Sequence, residues 1–382
     1  MHHEKKLIEN PNFHREIWQL TDGSETRRSS VRSYFDFCPW SPDQKKITFL
    51  SHDESRSSME VCWMELETGA VHPVGGSERF DSHGALYLQW SSDESTLVFG
   101  DGDRGEMSFQ TVGIVTGASL SFDGALQSVH PKCGAVLAFP VTPRNPSIPP
   151  RANDHIWTVD PGTGSTSVLG SLDDIIGVHP DRKRFEEFQL FVMHGKWSPD
   201  GGRILFVLTD FGLNNPGTTK KSFLKTLYSM NADGTGLRAH TAHPSHMSWH
   251  PDGRRILSNC RDENKAGAFL LALVDVETDD VEVICSPHPG SGGGSHPSFS
   301  PDGKFILFEK FTLLSGKAGI LLCELLLLDV SNNQTERLAI FPLVNYSHSG
   351  IHVHPSWSPD GQSVLYHSDQ TGCTELYVIR VF

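Results

Sequence analysis

The feature that most constrains the fold is a short motif that recurs along the chain. It consists of an aromatic residue, then Ser-Pro-Asp-Gly or a variant of it, and then an apolar run. Pro-Asp-Gly between two apolar runs is typical of a hairpin turn. Each copy therefore predicts one hairpin, and the chain is expected to be a series of similar units. The aromatic residues of the six visible copies are Trp40, Trp90, Trp197, Trp249, Phe299 and Trp357.

The spacing of these aromatic residues predicts the size and number of the units. Consecutive intervals are 50, 107, 52, 50 and 58 residues. The longest interval is about two units, so a seventh unit is expected there, with its turn at 129–134 and its next strand at 135–139. Most units contain a third strand-like run and several contain a fourth. Four short strands in about 50 residues are typical of a β-propeller blade.

We predict an all-β fold, a seven-bladed β-propeller of four-stranded blades, with residues 1–382 as a single domain. Only three strands are expected in the last blade after its motif. The N-terminal strand at 16–20 is expected to complete that blade and close the ring, which leaves no large exposed sheet edge. The proline-rich stretch 140–151 is expected to be a loop within the third blade rather than a domain linker.

Composition narrows the class of function. The chain has 32 Lys and Arg against 46 Asp and Glu, a formal charge of −14, which argues against nucleic-acid binding. Its longest apolar run, 319–330, is interrupted by two acidic residues and is too short to span a bilayer, so no membrane association is expected. Seven cysteines occur singly, which favours reduced thiols. With no apolar signal segment near the start, the predicted location is cytoplasmic.

Histidines occupy the same position in four consecutive units, three residues before the motif aromatic. The first strand of each blade lines the central channel, so these side chains are expected to converge on one side of it. If the last of these segments is an extended strand, His352 shares a face with His354. Imidazoles bind transition metals and carry protons near neutral pH. The alternative is a set of polar side chains facing channel water. The four residues are His194, His246, His296 and His354, and the other units have Phe37, Tyr87 and Leu126 there.

These segments resemble oligogalacturonate lyases, pectin-fragment enzymes built on a seven-bladed propeller. The resemblance is carried by residues 32–35, 194–197, 246–249 and the histidine-rich run 347–357. It implies a divalent metal, usually manganese. The implied metal ligands are His296, His352 and His354.

Two positions depart from the family pattern. Ser349 stands where the family has a metal-binding glutamine, and His348, Asn345 or water can take that place instead. A family arginine falls near Lys225, which replaces the charge but not a bidentate grip on a carboxylate.

The resemblance implies β-elimination at a uronic acid, which gives a 4,5-unsaturated product from an anionic oligosaccharide. His246 matches the family's base and would take the C5 proton, which lies α to a carboxylate. His194 is either a hydrogen-bond partner or the acid for the leaving group. The residues expected to contact the substrate are Arg32, Tyr34 and Lys225.

Two other classes of function remain open at this stage. The repeats also resemble TolB-like and WD40-like propellers, which would make the chain a non-catalytic module that binds a protein or carbohydrate partner. Hydrolysis by a metal-bound hydroxide is the other. Metal content and ultraviolet absorbance with oligouronides distinguish these classes from a lyase.

Overall fold

A computed structural model gives the fold of the chain. It describes residues 5–8, 15–23, 28–53, 59–77, 87–101, 108–140, 155–185, 190–209, 225–240, 244–262, 268–286, 288–290, 295–313, 321–344 and 352–382. These residues form a seven-bladed β-propeller of antiparallel sheets, so the predicted fold class is confirmed.

The strands follow one another around the ring in chain order. Two short strands come first, β1 (Lys6–Ile8) and β2 (Ile17–Gln19). Blade 1 contains β3 (Arg28–Val31), β4 (Lys46–Asp53), β5 (Met59–Glu65) and β6 (Val71–Ser77). Blade 2 contains β7 (Leu88–Trp90), β8 (Thr96–Asp101), β9 (Ser108–Gly113) and β10 (Ser119–Asp123). Blade 3 contains β11 (Ala125–Val129), β12 (Val136–Phe139), β13 (His155–Val159) and β14 (Thr166–Ser171).

Blade 4 follows a short helix, α1 (Leu172–Gly177), and a 3₁₀ turn, Arg182–Phe185. It contains β15 (Phe191–Trp197), β16 (Arg203–Thr209), β17 (Lys225–Asn231) and β18 (Arg238–His240). Blade 5 contains β19 (Pro244–Trp249), β20 (Arg255–Arg261), β21 (Phe269–Asp275) and β22 (Val281–Cys285). Blade 6 contains β23 (Ser298–Phe299), β24 (Phe305–Leu313), β25 (Leu321–Asp329) and β26 (Gln334–Leu343). Blade 7 contains β27 (Ser356–Trp357), β28 (Ser363–Ser368) and β29 (Glu375–Arg380).

The N-terminal segment closes the ring as predicted. β2 pairs with β29 and supplies the fourth strand of blade 7, and β1 adds a fifth strand outside it. Behind this pairing, the buried Glu375 carboxylate accepts from the Thr21 hydroxyl at 2.5 Å and from the Gly23 amide at 2.6 Å. Backbone bonds between β2 and β29, together with these side-chain bonds, therefore join the N-terminal segment to the last strand of the chain.

Blade 3 is the unit that lacks a visible motif, and its strands lie where the spacing places them. β11 and β12 pair across the turn at 130–134. The proline-rich stretch connects β12 to β13, which pair with each other, so it lies within one blade. Residues 141–154 of that stretch are outside the described residues.

The repeated turn has a common set of hydrogen bonds that explains its sequence. In blade 7, the Ser358 hydroxyl donates to Asp360 at 2.6 Å and accepts from the Ser363 amide at 2.9 Å. Gly361 follows with φ +71°, a conformation that costs a residue with a Cβ atom about 1–2 kcal/mol. The serine and aspartate thus hold the turn, and glycine relieves its strain.

The motif tryptophans join neighbouring blades. Three indole N–H groups donate to the backbone carbonyl that directly precedes the motif aromatic of the previous blade. These bonds run from Trp90 to Pro39 at 3.1 Å, from Trp249 to Lys196 at 3.1 Å and from Trp357 to Ser298 at 3.4 Å. At these three blades, the aromatic residue that marks the repeat in the sequence also fixes the distance between adjacent inner strands.

The apolar core lies between the blades. In one cluster, Leu257 and Leu271 of blade 5 pack against Phe299, Ile306 and Phe308 of blade 6. Burial of one such side chain contributes about 1.5–3 kcal/mol. Because every blade packs on two neighbours, the ring provides a stiff frame for the residues that face the channel.

A buried chain of polar groups also joins blades 4 and 5. Ser229 donates to His240 Nε2 at 2.8 Å, and His240 Nδ1 donates to Asp279 at 2.8 Å. Ser229 and His240 are only 5% and 3% exposed, so this serine is closed to a substrate. We therefore interpret the group as a clamp between two blades.

Candidate active site

The channel-facing histidines lie on irregular backbone. His194, His246 and His354 have φ values of +56°, +50° and +44°, and β15 and β19 shift register at the first two of these positions. Such conformations cost of order 1–3 kcal/mol and cluster at functional sites. Three strained histidines at equivalent positions indicate that the channel is built for a task other than packing.

This geometry corrects one expectation from the sequence. Residues 352–355 are not in a strand, since β27 begins at Ser356, so strand alternation does not put His352 and His354 on a shared face. The positive φ of His354 turns its backbone away from an extended path. The two rings still approach each other, with centroids 5.5 Å apart.

Three histidines form a candidate metal centre. One ring nitrogen from each of His296, His352 and His354 lies within 4.8 Å of the others. The His296 and His354 ring centroids are 4.6 Å apart, and those of His296 and His352 are 5.4 Å apart. His296 and His354 are almost fully buried. The cluster can present several imidazole nitrogens to one ion in a low-dielectric environment.

The hydrogen bonds of His296 fit a metal ligand. Its Nδ1 donates to the Glu309 carboxylate, and its Nε2 has no hydrogen-bond partner among the described residues. A carboxylate on one ring nitrogen, with the other nitrogen free, is the arrangement that orients metal-binding histidines. Both ring nitrogens of His354 also lack a hydrogen bond in the part of the chain that the structure describes. A divalent first-row metal suits this donor set.

Burial controls the charges around this centre. It lowers the pKa of His296 to about 3 and raises the pKa of Glu309 to about 7. His296 is therefore a neutral imidazole, the form in which histidine binds a metal.

A second set of bonds holds the segment that carries His296. Asn259 on β20 is fully buried and donates to the Ser295 carbonyl at 2.7 Å. Its own amide oxygen accepts from His288 Nε2 at 2.9 Å, and His288 Nδ1 accepts from the Gly290 amide at 2.9 Å. Blade 5 thus positions a metal-ligand candidate of blade 6.

Residues 32–37, the channel segment, lie between β3 and β4 of blade 1 and contact the histidines of four other blades. The Tyr34 ring centroid is 4.7 Å from that of His354 and 5.8 Å from that of His194. The Phe35 ring centroid is 4.8 Å from His296 and 5.6 Å from His246. This segment fills the space between the histidines and fixes their separation.

Arg32 begins the channel segment and is fully buried. Its guanidinium donates to the backbone carbonyls of His354, Phe37 and Tyr34. Burial lowers the pKa of Arg32 to about 10, which leaves it charged at neutral pH. These bonds position the backbone of His354, and a direct contact between Arg32 and a substrate stays a prediction, as does one with Tyr34.

His246 lies beside the candidate metal centre. Its ring centroid is 4.4 Å from that of His296, and its Nδ1 lies 3.4 Å from Ser245 Oγ. Burial, together with the positive charges of neighbouring groups, holds the pKa of His246 well below its usual value. The imidazole is therefore neutral and has a lone pair available at neutral pH.

Asp36, at the far end of the channel segment, binds two residues of blade 4. Its Oδ2 accepts from His194 Nδ1 at 2.9 Å, and its Oδ1 forms an ion pair with Lys196. The Lys196 ammonium also donates to the Met247 carbonyl and lies 4.5 Å from the Phe35 ring centroid. A charged cluster thus sits directly beside the His246 segment.

Lys225 is the first residue of β17, and its charge interacts with those of Asp36 and Lys196. Burial lowers its pKa to about 8, an effect that Asp36 opposes and Lys196 reinforces. Its charge lowers the pKa of both His194 and His246. No ion pair holds Lys225 among the residues that the structure describes.

Three contributors to the site had no signal of their own in the sequence: Asp36, Lys196 and Glu309. Lys196 stands two residues after His194, and Glu309 lies opposite His296 on the next strand. Knowledge of the blade register is needed before either becomes a candidate. Ser349, His348 and Asn345, considered for a further metal ligand, lie outside the described residues.

Fold and site together define a class, a seven-bladed propeller with a histidine-lined channel and a three-histidine metal-centre candidate. No protein-family model matches the chain, and no curated protein matches it. An oligogalacturonate lyase from Vibrio parahaemolyticus has a similar structure, with a TM-score of 0.69 and 16% identity over 100% of this chain and 98% of that one. An oligogalacturonate lyase in complex with manganese has a TM-score of 0.67 and 16% identity over 100% of this chain and 97% of that one.

A more distant likeness is to hydrazine synthase from Kuenenia stuttgartiensis, with a TM-score of 0.53 and 14% identity over 92% of this chain and 96% of that one. At these identities the likenesses show a shared fold.

In the described part of the chain, no helix has the length and apolar character needed to cross a membrane.

Proposed function

We propose that this protein is a metal-dependent lyase that cleaves oligogalacturonate-like uronides by β-elimination, with His246 as the base. The observation that carries the proposal is the placement of His246, whose ring is 4.4 Å from that of His296 in the three-histidine cluster. A proton-accepting group directly beside a site for a Lewis acid is what abstraction of a proton α to a carboxylate requires.

His296, His352 and His354 are the proposed metal ligands, with Glu309 orienting His296. Manganese is the proposed ion, because one of the similar solved structures is a manganese complex. Such an ion supplies Lewis-acid neutralisation of the substrate carboxylate, which makes the C5 proton more acidic.

His246 accepts the C5 proton, the electron pair left on C5 forms the C4–C5 double bond as the C4–O4 bond breaks, and the departing O4 oxygen takes up a proton from solvent. A positioned base of this kind contributes roughly 10²–10⁴-fold in rate. The packing of the Phe35 ring against His246 restricts the orientation of the imidazole. A fixed orientation keeps the lone pair directed at one position in the channel.

Lys225 is the proposed cation for a substrate carboxylate. The chain as a whole carries a formal charge of −14, so an anionic oligosaccharide needs local positive charge to bind. Lys225 provides such a charge near His194 and His246, and its partial burial strengthens the attraction. Tyr34 is the proposed aromatic contact of this binding surface, and the buried Arg32 supports it from behind through its bonds to the backbone of Tyr34 and His354. We place the enzyme in the cytoplasm, as a single domain over residues 1–382.

The proposal is tested by metal analysis of the purified protein and by ultraviolet absorbance with oligogalacturonate. We expect bound divalent metal and a rising absorbance from the unsaturated product. His246→Ala should abolish the absorbance change and keep the metal. His155→Ala, which removes an exposed histidine of blade 3, is the matched control and should behave as wild type. Metal-free protein whose absorbance with oligouronides stays flat would instead support a non-catalytic propeller that binds a protein or carbohydrate.

A further inference from the structure

Asp36 makes a contact that spans the channel. It belongs to blade 1, yet both of its carboxylate oxygens face blade 4, one bonded to His194 Nδ1 at 2.9 Å and the other paired with Lys196. The Asp36 side chain is 4% exposed and that of His194 is 14% exposed. Asp36 is therefore closed in behind His194, and the imidazole is the member of the pair that remains accessible.

This contact determines which nitrogen of His194 carries a proton. Burial would raise the pKa of Asp36, but Lys196 and the bond from His194 outweigh it and hold the carboxylate ionised. An ionised carboxylate only accepts hydrogen bonds, so His194 Nδ1 must be the donor. Burial also lowers the pKa of His194, against the opposing effect of Asp36, so a second proton is not retained at neutral pH. Its Nε2 then has a lone pair.

We propose that Asp36 is a positioning residue that holds His194 as a hydrogen-bond acceptor for a hydroxyl group of the substrate, while the charge of Lys225 attracts the substrate carboxylate. The substrate class is that of the proposed function on which this inference rests, a uronide with a free hydroxyl near its carboxylate. An acceptor at His194 and a positive charge at Lys225, close enough to lower the pKa of His194, match those two groups of an acidic sugar.

The alternative role for His194, the acid that protonates the leaving oxygen, fits the surroundings less well. It requires a proton on Nε2 in addition to the one that Asp36 holds on Nδ1, and hence a positive ring. Burial is the largest effect against a positive ring, and the charges of Lys196 and Lys225 add to it, whereas Asp36 is the one charged group near the ring that favours the proton; the pKa of His194 stays below its usual value. The Tyr34 ring, stacked at 5.8 Å, adds no charge.

The inference has a consequence for specificity. A site that accepts a hydrogen bond from a substrate hydroxyl discriminates against a substrate in which that hydroxyl is blocked, because a buried acceptor is then left without a partner. O-acetylated uronides should therefore bind more weakly than free ones, and this preference should depend on His194 and Asp36.

The test measures binding without turnover. Calorimetry with trigalacturonate is done on full-length His246→Ala protein, and again after adding Asp36→Asn, His194→Gln or both. We expect each added substitution to weaken binding about 3- to 10-fold, the effect of one hydrogen bond. The double substitution should weaken it no more than either one, because the two residues act as a unit. Glu60→Gln, which removes a half-buried charge of blade 1 that pairs with Arg28 at 2.8 Å, is the control and should leave binding unchanged.

Two further measurements separate positioning from a merely structural effect. Nitrogen-15 NMR of ring-labelled histidine, with the His194 signal identified by its loss in His194→Gln, should show protonated Nδ1 and unprotonated Nε2 at neutral pH, and Asp36→Asn should mix the two tautomers. O-acetylated trigalacturonate should bind the His246→Ala protein more weakly than the free sugar, with the difference lost after His194→Gln.

A positively charged His194 at neutral pH would overturn the inference in favour of the acid role. So would trigalacturonate binding that is strong but indifferent to Asp36→Asn and His194→Gln, a result that leaves the proposed function intact. Complete absence of trigalacturonate binding, with the metal present, would overturn both together.

Discussion

The inner positions of blades 1–3 and those of blades 4–7 are equivalent in the ring and opposite in character. In the first half, Phe37 stacks on Tyr87 with ring centroids 4.5 Å apart, and Leu126 is 1% exposed. In the second half the same position is histidine in every blade. Positive φ values at this position occur only in the histidine half, at three of its four members.

This difference separates the residues that stabilise the propeller from the residues proposed to act in its reaction. The turns and inter-blade tryptophans occur in both halves, so they belong to the frame. The inner residues of blades 1–3 pack against each other or are buried. Three of the four histidines instead lie on strained backbone, which packing alone does not require. Substitutions in the two halves should therefore affect different measured quantities.

The largest effect should come from His296→Ala in the histidine half. It removes a proposed metal ligand, so we expect loss of bound metal by elemental analysis and a fall in kcat/KM of roughly 10³-fold. Phe37→Leu, at the equivalent position of blade 1, is the matched control. It should lower the free energy of unfolding by about 1 kcal/mol and leave metal content unchanged. Equal loss of metal in both variants would contradict the proposed division between the two halves of the ring.

A smaller loss of metal affinity is expected when the residue that orients a proposed metal ligand is substituted and the ligand itself is kept. Glu309→Gln preserves the shape of the side chain that accepts from His296 Nδ1 but removes its charge. Substitution of such a partner typically weakens metal binding by about 10–100-fold. Competition with a chelator measures this affinity, and wild-type affinity in Glu309→Gln would mean that Glu309 does not orient a metal ligand.

The histidine half should also make stability depend on pH. Burial lowers the pKa of His288 to about 4 from an ordinary value of 6.5, so the unfolded chain binds this proton first as the pH falls. The contribution of His288 to the free energy of unfolding is therefore fully present above pH ~6.5. It is lost progressively as the pH falls toward ~4, at about 1.4 kcal/mol per pH unit.

His288→Gln should remove that part of the dependence. Between pH 7 and pH 5, denaturant unfolding of the wild type should show about 2 kcal/mol more loss than unfolding of the variant. Gln is chosen because it can still donate to Asn259. Parallel curves for the two proteins over this range would show that His288 is not the source.

The sequence predicts more of the frame than of the site, for a physical reason. The bonds of a turn are local, so each Ser-Pro-Asp-Gly copy predicts a turn without knowledge of the fold. Residues at equivalent positions of consecutive repeats then become neighbours, because the blades are arranged in a ring. Asp36 and His194 are 158 residues apart and meet only because the channel segment crosses the ring. His354 has a positive φ where the sequence pattern favoured an extended strand, and no residue type at this position predicts that conformation.

The smallest predicted effect concerns the turns of the apolar half, where the frame itself departs from its repeat. Gln44 and Glu94 occupy the turn position that is glycine in blades 4–7, and they have φ values of +61° and +62°. A residue with a Cβ atom is strained there, whereas glycine is not, although glycine loses more conformational freedom on folding. Gln44→Gly should therefore raise the free energy of unfolding by about 0.5–1 kcal/mol.

Glu94→Gly is the comparison for Gln44→Gly, because it also removes an ion pair of 3.4 Å with Lys46. That pair is partly exposed and contributes at most about 1 kcal/mol, so the gain should be smaller than for Gln44→Gly. Denaturant unfolding measures both changes. Activity should stay at the wild-type level in each, since neither turn contacts a channel histidine. If Gln44→Gly were destabilising, the Gln44 side chain, which accepts from the Asp360 amide at 3.3 Å, would have to contribute more to ring closure than its strain costs.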